Sequence, residues 1–252
     1  MSFFRMAGFH LRQFASVPYF IQLMVFSTVA SALVQYVGYV AWGGITPTQG
    51  WLRAGIIGMW TTTTSAAGII GFERYKGTLV YLTMGAIRPQ FTLTASVGAA
   101  ATFGLVSFPV AWVAWSAVSG SLTFTRSLDV VTGTALVGGI VALYVGCLAI
   151  STVIAALFVL TPNAITYEGL LLVPVLVASG VLVTSHSPSG IWSTISTVIP
   201  ISAPVRVLYT GLPSVIDALV WAVITMMWLG AGYGLLGRAL NRAYRDATLE
   251  LV

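Results

Sequence analysis

Gly71-Phe72-Glu73-Arg74-Tyr75-Lys76-Gly77-Thr78-Leu79-Val80-Tyr81-Leu82-Thr83-Met84-Gly85-Ala86-Ile87-Arg88-Pro89 sets three charges, Glu73, Arg74 and Lys76, within four residues and closes on Arg88. On each side lies an apolar run long enough to cross a bilayer. Beyond the charges, Leu79, Leu82 and Ala86 recur at i, i+3 and i+7, the spacing of a short helix with one apolar stripe. Pro89 ends that helix before the next apolar run begins. The stretch therefore predicts a short helix, 73–88, held outside the membrane between two spans. The plainer alternative is a solvated loop whose basic residues only fix topology.

Composition carries the same argument to the whole chain. Of its 252 residues, 58% are hydrophobic and 7% charged, against about 45–50% apolar and about 25% charged in ordinary soluble domains. Spans of about 20 residues joined by short loops allow about six or seven crossings, with no room for a soluble catalytic domain. One membrane domain, 1–252, is expected. The formal net charge of +5 reads as topology rather than nucleic-acid binding, because basic residues in such chains gather on the cytoplasmic side. The one cysteine, Cys147, sits in an apolar run and cannot form an intrachain disulfide. No cluster with metal-ligand spacing occurs, and His186 is expected to be an ordinary surface histidine.

Outward from the central stretch, residues 1–16 predict an amphipathic interfacial helix, with Phe4, Ala7, Leu11 and Phe14 on one face and Arg5 and Arg12 on the other. A signal peptide is the alternative, but the apolar run continues to Val40 as a membrane span. Six spans are expected, at about 19–42, 51–72, 91–118, 130–160, 164–184 and 215–236, with Gly43 to Gly50 as a polar turn. The second contains Thr61, Thr62, Thr63, Thr64 and Ser65, hydroxyls that serve helix packing or line a substrate path. Pro109 permits a kink in the third span, and Gly133, Gly138, Gly139 and Gly146 allow close approach to the fourth. Glu168 is expected to cap the fifth span. Residues 185–213, broken by four prolines, predict short extracellular or re-entrant helices before the last span. Gly232, Gly234 and Gly237 spell G-x-G-x-x-G inside an apolar helix, which reads as packing rather than nucleotide binding.

With six spans and cytoplasmic termini, eight basic residues lie inside, at positions 5, 12, 74, 76, 88, 238, 242 and 245. Three lie outside, at 53, 126 and 206. That asymmetry places residues 73–88 in the cytoplasm of a multi-pass protein of the cell membrane. The chain has no G-x-x-x-x-G-K-[ST] phosphate loop, so ATP hydrolysis by this chain alone is not expected. All six acidic residues fall at span ends or in loops, unlike the mid-membrane ionisable groups of ion-driven transporters.

Glu73-Arg74 followed by Gly77-Thr78 and an apolar helix is similar to the coupling helix of the permease subunits of type-two ABC exporters. It departs from the family where an acidic residue would stand, at Tyr75 or Lys76. The run Ile199-Pro200-Ile201-Ser202-Ala203-Pro204-Val205-Arg206 resembles the segment preceding that family's last span. The resemblance implies an all-α integral membrane permease with six transmembrane helices that moves a substrate out of the cell by alternating access. It further implies a second permease subunit, identical or paralogous, and separate ATP-binding subunits that hold ATP and magnesium. Under it, Glu73 and Arg74 contact the ATP-binding subunit, with Lys76, Gly77, Thr78, Leu79 and Leu82 completing the coupling site. The chain itself would be no enzyme and carry no cofactor; membrane lipids would surround it. A self-contained secondary transporter and a membrane scaffold or biogenesis protein are the competing classes.

Overall fold

The computed structural model describes residues 3–84, 87–120, 130–161, 164–182 and 191–245, and every regular element among them is helical. In order these are α1 (Phe3–Ala15), α2 (Pro18–Trp42), α3 (Pro47–Ala67), α4 (Ile69–Tyr75), α5 (Leu79–Thr83), α6 (Pro89–Ala101), a 3₁₀ turn (Thr102–Val106), α7 (Ser107–Ser119), α8 (Val130–Leu160), α9 (Ala164–Ala178), α10 (Ile191–Val198), α11 (Ser202–Thr210) and α12 (Val215–Arg245). Among the described residues, four stretches are long and apolar enough to cross a membrane: Pro18–Trp42, Pro89–Ser119, Gly133–Leu160 and Val215–Arg245.

The bundle is built around α3, which packs on α2, α6, α7, α8, α9 and α11. Sixteen of its 21 residues are buried. A helix covered on nearly every face meets protein instead of lipid, so it can carry Arg53 and a run of threonines that a lipid-facing helix could not. This explains why α3 falls outside the four long apolar stretches. Its start lies earlier than expected: Gly43 to Gly50 is not wholly turn. Thr46 accepts from the Gln49 N–H at 3.2 Å while the Gln49 side chain accepts from the Thr46 N–H at 3.1 Å. This capping box, with Pro47 opening the helix, satisfies two of the donors left free at a helix start. The second span also ends as two pieces, α3 and α4, with Gly68 between them.

Glycines let the neighbours come close to α3. A Cβ added at Gly50 would overlap the Trp115 ring, one at Gly58 would overlap the Thr28 hydroxyl, and one at Gly55 would stand 2.7 Å from Phe108. Overpacking of this kind costs about 1–3 kcal/mol. Gly55→Leu is accordingly expected to lower the thermal unfolding midpoint of the detergent-solubilised protein, whereas Gly133→Leu, with nothing within 4 Å of the added Cβ, is expected to leave it unchanged.

The third expected span is interrupted, but not at Pro109 itself. The 3₁₀ turn occupies Thr102–Val106. Pro109 lacks the N–H that would bond to the carbonyl of Leu105, and its ring crowds that carbonyl, so the distortion falls one turn upstream. The unbroken 31-residue α8 matches its expected bounds. Two of its four glycines meet neighbours: Cβ atoms would come within 2.8 Å of Leu208 at Gly139 and 2.7 Å of the Pro200 carbonyl at Gly146. Helix α9 stops at Ala178, short of the expected 184, as the chain turns through Gly180 at φ +79°. Helix α12 runs on to Arg245, beyond the expected 236, so Arg238, Arg242 and Arg245 lie on one continuous helix with the last span. Of the three glycines of its G-x-G-x-x-G run, Gly232 sits against Thr152 and Gly237 against Gln90, while Gly234 faces open space. Packing accounts for two of them.

Segment 185–213 contains α10 and α11, bound to α12 through Trp228 Nε1–H donating to the Val198 carbonyl (2.9 Å) and Trp221 Nε1–H to the Pro200 carbonyl (2.8 Å). His186 and Pro188 lie outside the described residues, as do Arg126, Asp129, Asp246 and Glu250; the Glu168 side chain also lies outside them.

Candidate functional site

Residues 69–84 form an elbow at one end of the bundle, and the sequence dictates how it bends. Helix α4 ends as Gly77 takes φ +71°, a left-handed conformation that costs glycine little. The Gly77 N–H reaches the Arg74 carbonyl and the Thr78 N–H reaches the Glu73 carbonyl, both at 2.9 Å. These two bonds are a Schellman cap, which satisfies carbonyls left over at the end of a helix. The Thr78 hydroxyl donates to the Glu73 carboxylate, and also lies 3.1 Å from the Glu73 carbonyl. Glu73 and Thr78 thus close the bend from both sides. Lys76 is exposed, with its ammonium 4.4 Å from the centre of the Phe72 ring.

Five residues make up α5, fewer than the expected 73–88 helix. Glu73 and Arg74 belong to α4 instead, and Ala86 lies outside the described residues. Leu79 is fully buried and anchors α5 to the core. The Leu82 side chain lies outside the described residues. One half-turn from Leu79, Tyr81 is 78% exposed, and Met84 just beyond α5 is 73% exposed.

Arg74 is the largest departure from expectation. It is not held out for a partner: only 2% exposed, it points inward. Its guanidinium donates to the Thr161 carbonyl at 3.1 Å and to the Val159 carbonyl. Those are carbonyls at the C-terminus of α8, where a helix carries unpaired acceptors and partial negative charge. A forked cation suits that position. The guanidinium therefore fastens the elbow to α8, the longest buried helix.

The hydroxyls proposed for a substrate path are placed in packing. Thr61, Thr62, Thr63 and Thr64 each donate to the carbonyl one turn back, at 2.7–2.9 Å. Thr62, Thr63 and Thr64 are fully buried and Ser65 is 6% exposed. Ser151 of α8 donates to the Thr63 carbonyl at 2.9 Å. In this arrangement only Thr61 of the five keeps part of its side chain open, as the packing alternative requires.

Helix α1 buries Met6, His10 and Phe14, at i, i+4 and i+8, against the bundle, while Leu11 of the stripe expected to face the acyl chains is exposed. Phe14 meets Phe20 edge-on at 5.6 Å, and Phe20 stacks on Phe103. The helix packs mainly on α6. Burial pushes the His10 imidazole below its usual range, partly opposed by a hydrogen bond with Gln13 and by the field of Glu73. A base depressed in the folded state takes up fewer protons there than when undocked, so its contribution is full above the ordinary histidine pKa of about 6.5 and is lost as pH falls below it. Amide exchange across α1 is expected to speed up on going from pH 7.5 to pH 5.5, after correction for intrinsic rates, and His10→Gln is expected to flatten that dependence.

Sequence pattern missed three features here: the inward Arg74, the His10 contact, and the exposed pair Tyr81 and Met84. Only the last had a local signal, since a stripe at Leu79 and Leu82 leaves Tyr81 on the opposite side. Among the described residues no group of three or more histidines, cysteines or acids could hold a metal ion.

By length and composition, the four long apolar stretches make this a helical membrane protein. No protein-family model, curated protein or solved structure matches the chain.

Proposed function

We propose that this chain is the membrane permease subunit of an ATP-driven exporter, with the α4–α5 elbow as the place where force enters. One observation carries the reading: the elbow is fixed to the bundle and apolar outward. Arg74 and Leu79 tie it to α8 and the core, while Tyr81 and Met84 project away beside the exposed cations Lys76 and Arg88. A helix seated in the cleft of a moving partner needs both properties. A floppy loop would dissipate the motion, and a wholly polar one would bind weakly.

Six crossings follow in this reading, at α2, α3–α4, α6–α7, α8, α9 and α12. Helix α3 is too polar and α9 too short to be recognised by apolar length. The elbow, α1 and the C-terminal half of α12 share one end, because α5, α1 and α12 all pack on α6. The eight basic residues of these segments support reading that end as cytoplasmic, in a multi-pass protein of the cell membrane. ATP-driven closure of two ATP-binding subunits would move the elbows of two paired permeases and bias them between inward-open and outward-open arrangements. Glu73, Gly77 and Thr78 set the bend, Arg74 transmits its motion to α8, and Tyr81 and Met84 contact the ATPase. The chain contributes no catalysis of its own; ATP and magnesium belong to the partner.

The test is reconstitution with a cognate ATP-binding subunit. Tyr81→Ala with Met84→Ala is expected to leave unfolding temperature unchanged and to lower transport-coupled ATP hydrolysis at least tenfold. Unchanged hydrolysis and efflux with the complex assembled would refute the assignment, as would solute movement by the purified chain under an ion gradient alone.

A further inference from the structure

A groove of about 870 Å³ opens between α1, α6, α8 and α12, bordered by Gly8, Leu11, Gly98, Thr102, Gly230 and Tyr233. That volume falls within the range of about 300–1,000 Å³ typical of small-molecule sites. Three helices contribute a glycine to it, and a Cβ added at Gly8, Gly98 or Gly230 would meet nothing within 4 Å. Elsewhere glycines such as Gly55 and Gly146 admit a neighbouring side chain or backbone. These three face emptiness, so small residues keep the groove wide without bringing helices together.

The polar groups along it are mostly spent within the protein. The Tyr144 hydroxyl donates to the Gly98 carbonyl at 3.0 Å, and Thr94, Thr102 and Thr152 bond to carbonyls of their own helices at 2.5–2.8 Å. What remains is an apolar trough on the flank of a membrane bundle. On α1, Arg5 and Arg12, at i and i+7, share the flank of the helix that adjoins Gly8, and both are exposed. Acyl chain below and cation above are the two halves of a recognition site for an anionic lipid.

We infer that this groove holds one acyl chain of an anionic phospholipid from the surrounding membrane, with its phosphate between Arg5 and Arg12. The inference rests on the membrane reading and is independent of ATP coupling. A second copy of the chain is the competing occupant, and a change of oligomeric state in the groove variants would report it.

Native mass spectrometry of the delipidated full chain, with dioleoyl phosphatidylglycerol or dioleoyl phosphatidylcholine added, tests it. The unaltered protein should retain the glycerol lipid roughly thirtyfold better than the choline lipid, the scale expected of two arginines at about 1 kcal/mol each. Arg5→Gln with Arg12→Gln should reduce that ratio to near one. Gly230→Leu and Gly98→Leu, which have room for the new side chain, should each remove the retained lipid of both kinds without lowering the unfolding temperature. Equal retention of both lipids by the unaltered protein would overturn the inference. So would full lipid retention by the well-folded leucine variants, or a change in their oligomeric state in place of lipid loss.

Discussion

Arg74→Ala is expected to damage the elbow severely, with a loss of about 3 kcal/mol of stability. The estimate follows from two hydrogen bonds made by a charged donor, each worth about 1.5–3 kcal/mol, reduced because water can reach carbonyls once the side chain is gone. The Val159 and Thr161 carbonyls would lose their partner, and the end of α8 would fray. Thermal unfolding and amide exchange in detergent check this, with faster exchange expected near 155–161 and 73–79. Arg74→Lys should recover only part, because one ammonium cannot reproduce a planar fork that reaches two carbonyls at once. In the reconstituted complex, ATP hydrolysis by the partner should persist while efflux falls, because the elbow is then seated in the ATPase but no longer fastened to the bundle.

Leu79→Ala should cost nearly as much, about 2–5 kcal/mol, by opening a cavity at a fully buried position. Tyr81, two residues on, provides the control. Its side chain is exposed, so Tyr81→Ala should change stability by less than about 0.5 kcal/mol. The pair separates seating of α5 in its own bundle from contact with a partner. Unfolding temperature reports the first, and ATP-coupled efflux the second. If both substitutions altered unfolding alike, the inward and outward faces of α5 would be wrongly assigned.

Much of the helix pattern was legible in the sequence because apolar length and proline placement are local signals. The bounds of α8 could be read directly, whereas the stretch read as one helix over 73–88 is broken at Gly77 into α4 and α5. Three departures share one physical cause, which is that burial is decided by distant contacts. Arg74 meets carbonyls more than 80 residues away, so nothing near it in sequence reveals that it points inward. The threonine run reads equally as lining or packing until Ser151 and the i−4 carbonyls are seen to absorb it. Helix α1 shows an apolar face at Phe4, Ala7, Leu11 and Phe14 on pattern, yet buries Met6, His10 and Phe14, because aromatic contacts with Phe20 fix its rotation. Sequence logic also placed the third-span kink at Pro109, where the strain is instead relieved in the turn before it.

Force entry through the elbow is tested most directly by crosslinking from Tyr81→Cys. Native Cys147 is fully buried, so the introduced thiol is the reactive one. In native membranes, a reagent with one thiol-reactive end and one photoreactive end should join it to a protein bearing a G-x-x-x-x-G-K-[ST] phosphate loop, with a yield that changes when ATP is added. A thiol that reacts fully with small reagents yet never joins an ATP-binding protein, or that a membrane-impermeant reagent labels from outside intact cells, would contradict the account.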